Sequence, residues 1–182
     1  MPNIQDGNQL ITVDVFAKAG VTEGMVIGDL GCGNLGYFSV AGAKVIGKSG
    51  LIYAVDILKS VLQAVNNIIK QKNLENIKTI WSNLEVVGAA KISSNTLDVA
   101  FIHNVLFQSK KQDLIIQEAT RLLKPGGRLV VIDWLKISAP LGPPLNDRVD
   151  PEIVKKYAAA AGLKLVEEFS AGPYHFGLLF SK

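Results

Sequence analysis

Cysteine is almost missing from this chain: Cys32 stands alone among 182 residues. One thiol excludes an internal disulfide and any cysteine-based metal cluster, and no metal is expected. Cys32 lies inside a glycine turn, where a small side chain is the simplest reason for it. Also lacking are a long uncharged apolar segment and a basic stretch leading into an apolar one. A membrane span and a secretory leader are therefore not expected, and the expected compartment is the cytoplasm. Lysines never run longer than two and the net charge is only +3, so the clustered footprint of a nucleic-acid binder is absent. There is no internal repeat and no low-complexity tract. What is there is 48% hydrophobic and 19% charged residues, the balance of a globular protein, and residues 1–182 read as one domain with a sizeable core.

The most informative stretch runs from Met25 to Phe38, MVIGDLGCGNLGYF. A short apolar run leads to Asp29, then come Gly31, Gly33 and Gly36, and an apolar-periodic segment opens at Tyr37. This is strand, tight turn, helix. Glycines let the backbone approach a ligand without an intervening Cβ, and the helix start offers free N–H groups to an anion. The spacing Gly31-x-Gly33-x-x-Gly36, with Asp56 twenty residues further on, matches the dinucleotide fingerprint. Asp29, two residues before the first glycine, shifts that reading. A carboxylate there is unfavourable beside a pyrophosphate and suits a ligand carrying an ammonium group. S-adenosylmethionine, a nucleoside bearing an amino acid, fits both ends.

The rest of the chain alternates strand and helix. Residues 1–24 read as a short helical cover, with a helix from Gln9 to Ala19 stopped at Gly20. Helices are expected at Tyr37–Ile46, about Leu58–Lys72, Lys111–Leu123 and Pro151–Ala161. Strands are expected at Leu51–Val55, Ile77–Trp81, Leu97–Ile102, Arg128–Asp133, Leu163–Phe169 and His175–Phe180. Such alternation calls for a doubly wound, mostly parallel α/β sheet with helices on both faces. Gly172-Pro173 between the last two strands suggests a hairpin, so the final strand should enter antiparallel. Residues 136–149 carry prolines and glycines with no period, as lids and substrate loops often do.

On Asp29-Leu30-Gly31-Cys32-Gly33, Asp56 and Leu123-Lys124-Pro125-Gly126-Gly127 the chain resembles the class I S-adenosylmethionine-dependent methyltransferases, from about Met25 onward. It departs in one place: the third glycine comes one residue later than usual, as Asn34-Leu35-Gly36, which lengthens the loop. The resemblance implies a Rossmann-like sheet of seven strands ordered 3-2-1-4-5-7-6, with strand 7 antiparallel. It also implies S-adenosylmethionine as cofactor, held by Asp29, Gly31, Cys32, Gly33, Asn34, Tyr37, Asp56, Ile57, Asn83, Leu84 and Asn104.

Individual roles follow from side-chain chemistry at strand ends. Asp56 would accept from the ribose hydroxyls; its bland alternative is an acid at a helix N-terminus. Asn83 stands where many relatives carry Asp and would accept from the adenine amino group, or cap a helix. Leu84 N–H would serve a ring nitrogen, with Ile57 and Leu84 as apolar walls. Methyl transfer from a sulfonium is an in-line displacement that needs no metal and depends on alignment. Candidate acceptor-side residues are His103, Asn104 and Asp133, with His175 as a further imidazole. Trp134, Phe107, Tyr174 and the 136–149 loop either frame an apolar acceptor pocket or are plain core.

The resemblance is strongest to the small-molecule branch that acts on quinone precursors. A metalloid acceptor is disfavoured by the single thiol. An RNA or protein acceptor is disfavoured because His103-Asn104-Val105-Leu106 lacks the Asn/Asp-Pro-Pro-aromatic motif. An NAD(P)-binding oxidoreductase rests on the glycine spacing alone, and a non-catalytic nucleotide-binding regulator is compatible with the sequence, as is a homodimer.

Overall fold

A computed structural model describes residues 14–182. The part of the first predicted helix that precedes Asp14 lies outside the described residues. Seven strands form one sheet in the order β3-β2-β1-β4-β5-β7-β6. They are β1 (Val26–Leu30), β2 (Leu51–Asp56), β3 (Ile77–Trp81), β4 (Leu97–His103), β5 (Leu123–Trp134), β6 (Lys164–Ser170) and β7 (His175–Ser181). The first five pair in parallel, while β7 runs antiparallel to both β5 and β6. The reversal follows from a four-residue link, Ala171 to Tyr174, too short for a crossover helix.

The pleat sorts alternate residues to two covered faces. Val99 and Phe101 of β4, Val130 and Ile132 of β5, and Leu179 of β7 meet residues of α1 (Asp14–Lys18), α2 (Tyr37–Ile46) and α3 (Lys59–Gln71). Phe16, Phe38 and Phe101 pack there with ring centroids 5.2–5.6 Å apart. Their neighbours Ala100, Ile102, Leu129, Val131 and Leu178 face α4 (Gln112–Leu122) and α5 (Pro151–Ala160). Each fully buried aliphatic or aromatic side chain in these layers stabilises the fold by roughly 1.5–3 kcal/mol. Among the described residues no helix is long and apolar enough to cross a membrane.

One boundary and one added element depart from the sequence reading by more than a residue. β5 begins at Leu123, directly after α4, rather than beyond the Pro125-Gly126-Gly127 turn. Its early residues find partners far away in sequence: Leu97 pairs with Leu123, Gly126 N–H donates to Lys182 O, and Lys182 N–H donates to Gly127 O. A 3-10 turn, Leu106–Gln108, also follows β4 where none was expected. Asp150 caps α5 through Glu152 N–H (2.9 Å), with Pro151 at the first turn.

Candidate active site

The sheet order reverses between β1 and β4, and ligands bind at the carboxyl ends of strands beside such a point. A cavity of about 480 Å³ opens there. Gly31 and Gly33 form its floor, both in left-handed conformations (φ 88° and 63°). A Cβ on Gly31 would stand 2.3 Å from a Val105 methyl, whereas one on Gly33 would project into open space. Gly31 and Cys32 N–H both donate to Val55 O (2.8 and 3.0 Å), which folds the turn back over β2. Gly36 packs against Val65 of α3 and so serves helix packing.

Nine of the predicted side chains and loop residues gather around this cavity. Gly31, Cys32 and Gly33 come from the turn; Asp56 and Ile57 leave β2; Asn83 and Leu84 follow β3; His103 and Asn104 end β4. Asp56 joins two of these groups, its Oδ2 accepting from Gly33 N–H (3.2 Å) and its Oδ1 from Leu58 N–H (2.9 Å). Asn83 Oδ1 accepts from Glu85 N–H (2.9 Å), a turn that presents the residue to the cavity. Asn104 has φ 54°, a left-handed conformation Asn tolerates better than most residues. Its main chain is occupied by Ile132 O and by Gln108 Nε2, but its buried Oδ1 has no partner.

Four predicted residues lie away from the cavity. Asp29 is buried, and its Oδ2 accepts from both Ser39 N–H (2.9 Å) and Ser39 Oγ–H (2.6 Å). It thereby caps α2, whose N-terminus has no side-chain cap of its own, rather than opening onto the cleft. Asp133 is fully buried on the α4 face and holds the 3-10 turn, accepting from Leu106 (3.0 Å) and Phe107 (3.3 Å), with Trp134 N–H on its other oxygen (2.8 Å). Asn34 is exposed on the loop, and Tyr37 is exposed at the start of α2, edge-on to Phe38. Ser82, which the sequence reading left without a role, has a buried Oγ with no partner and lines the cavity. Its position directly after β3 is the same signal that singled out Asn83.

Burial dominates the local electrostatics. It pushes Asp29 up to about 6, opposed by the Ser39 bonds and aided by Asp56. It drives the Cys32 thiol well above its usual range, with Asp29 and Asp56 adding to the effect, so a nucleophilic thiolate is disfavoured. His103 is lowered to about 3 by burial and then by His175. An imidazole held that low is neutral at pH 7 and a weak base.

The comparisons with known proteins agree with this geometry. A family model described as a methyltransferase domain matches residues 21–161. The demethylmenaquinone methyltransferase of Geobacillus sp. (strain WCH70) is 28% identical over 120 residues, 66% of this chain and 50% of that protein. The ubiquinone/menaquinone biosynthesis C-methyltransferase UbiE of Hydrogenovibrio crunogenus is 31% identical over 124 residues, 68% of this chain and 47% of its own. The chain thus spans about half the length of these curated relatives. A SAM-dependent methyltransferase structure from Aquifex aeolicus shares the fold with a TM-score of 0.85 at 24% identity, covering 93% of this chain and 88% of that one. The family match, with the glycine turn and the reversed seventh strand, places the chain in the class I S-adenosylmethionine-dependent methyltransferases.

Proposed function

We propose that this chain moves a methyl group from S-adenosylmethionine to a small-molecule acceptor by in-line displacement. The observation that carries the reading is the cavity at the strand-order reversal, where the glycine turn, Asp56 and the unpartnered Asn104 Oδ1 converge. Those residues fit the ligand. Gly33 leaves room above its Cα, Asp56 retains lone pairs for ribose hydroxyls, and Asn83 with Leu84 borders the adenine end. Asn104 Oδ1 is a free acceptor for an ammonium group, and Ser82 Oγ is a second uncommitted polar atom. Asp29, behind the turn, supports the same end of the ligand by holding α2 in place and through its charge.

When bound, S-adenosylmethionine supplies an electrophilic methyl carbon on a sulfonium. The side chains then align the two reactants and exclude water. A small acceptor is supported by the quinone-biosynthesis names of the relatives and by the missing Pro-Pro-aromatic motif. Residues 136–149 serve as the lid in this reading. Calorimetry on the full chain should show S-adenosylmethionine and its demethylated product binding, with NAD(P) silent. Binding of NAD(P) with no response to S-adenosylmethionine would overturn the proposal.

A further inference from the structure

Three rings stand in a row where the α2 face of the sheet meets its carboxyl edge. His103 ends β4, Trp134 ends β5 and His175 opens β7. Each lies two residues from a position on that face: Phe101, Ile132 and Gly177, which precedes Leu179. Trp134 and His175 are register partners with ring centroids 4.1 Å apart, and His103 lies 6.5 Å from His175. His103 also lines the cavity, so the row begins at the cofactor cleft and runs away from the glycine turn.

His175 is 1% exposed, yet neither ring nitrogen has a hydrogen-bond partner. Buried polar atoms are nearly always paired, and a neutral imidazole brings one donor and one acceptor. Burial and then the Arg148 charge lower His175 to about 4, so it is neutral at pH 7. Arg148 is itself buried, with its guanidinium carbon 5.3 Å from the Trp134 ring centre. It donates to the carbonyls of Leu135, Ile137 and Pro143, and among the described residues no carboxylate pairs with it. Gly142 lies against the same indole. One side chain therefore fastens the 136–149 segment over the Trp134–His175 pair.

We propose that His175 is the polar anchor of the acceptor side, binding an oxygen of a flat acceptor ring that lies along His103 and Trp134 beneath the Arg148-fastened segment. This assignment rests on the methyl-transfer reading. The imidazole can donate to a carbonyl or accept from a hydroxyl, while the unpaired Arg148 charge favours an oxygen carrying negative charge. Entry requires the 136–149 segment to lift.

The test uses 1-naphthol and naphthalene, which differ by one hydroxyl, on the full chain saturated with S-adenosylhomocysteine and labelled with 15N at histidine. Naphthol should bind about tenfold or more tightly than naphthalene and should move the His175 ring-nitrogen resonances. In H175F that preference should shrink to within about twofold, with S-adenosylhomocysteine affinity unchanged, and H175Q should restore part of it. Equal binding of the two probes to the wild type, or a preference that survives H175F, overturns the assignment. If H175F does not fold, the wild-type resonances decide: no movement with naphthol sinks it. Failure of S-adenosylhomocysteine to bind the wild type instead overturns the cofactor reading, and the probe comparison without it still decides His175.

Discussion

Asp29, Asp56 and Asp133 each stand at the carboxyl end of a parallel strand, and each accepts a backbone N–H from a connecting segment: Ser39 of α2, Leu58 just after β2, and Leu106 in the turn that follows β4. Their surroundings divide them. Asp56 alone of the three lines the cavity and keeps partial exposure. Replacing it with Ala should weaken S-adenosylmethionine binding by about tenfold or more through lost charge-assisted bonds; calorimetry with unchanged affinity would remove Asp56 from the site. Asp29 and Asp133 are both raised by burial from the usual 3.8 to about 6. Between those values the folded state holds more protons than the unfolded chain. Their stabilisation is thus fully present below about pH 4 and lost as pH rises through about 6, by about 3 kcal/mol for each acid. Urea unfolding of Asp29→Asn should accordingly gain on the wild type between pH 4 and 7, and a pH-independent difference would contradict the assignment. The positions of all three acids were legible because strand ends follow from apolar runs. Their orientation was not, since it depends on the pleat and on α2 and the 3-10 turn arriving without caps of their own.

Between β3 and β4 the chain crosses the sheet edge with no regular element, and it reads in sequence as a plain connection. The structure anchors it to α4. Glu118, fully buried, accepts from Gly88 N–H (2.7 Å), Ala90 N–H (3.2 Å) and both Nε (2.7 Å) and Nη2 (2.8 Å) of Arg121. Arg121 in turn donates to Ile92 O (3.1 Å) and Ala90 O (3.3 Å). Burial alone would raise the Glu118 carboxyl, but these donors outweigh it and hold the group below its usual range. Glu118→Ala should cost about 1–3 kcal/mol, because it leaves a partly exposed guanidinium and two amides without their acceptor, with Glu118→Gln losing less. Urea unfolding at pH 7 reads both, and a loss under about 1 kcal/mol for Ala would show the tie to be incidental. The anchor was invisible in sequence for a physical reason: Glu118 and Arg121 are spaced like any solvated helix pair, and their backbone partners lie about thirty residues upstream. The same non-locality hid the start of β5, whose ladder is completed by Lys182.

Across the whole molecule, the alternation of apolar runs and helical periods was enough to reach a doubly wound sheet, and Gly172-Pro173 was enough to reverse its last strand. The strand order came from the family resemblance, and the cavity then falls where that order reverses. A consequence reaches beyond any single contact. The cavity is walled by segments leaving β1, β2, β3 and β4, elements that come together only in the folded chain. A ligand seated there binds the native state and not the unfolded one, and stabilises it by about 2.7 kcal/mol at a hundredfold excess over Kd. For a chain of 182 residues this corresponds to a rise in Tm of about 5–10 °C. S-adenosylhomocysteine should produce that rise, growing with the logarithm of its concentration, and Asp56→Ala should displace the curve toward higher ligand by about tenfold. NAD should leave Tm unchanged. A rise of equal size with NAD, or one that ignores Asp56→Ala, would mean that the cleft at the strand-order reversal is not where the nucleoside binds.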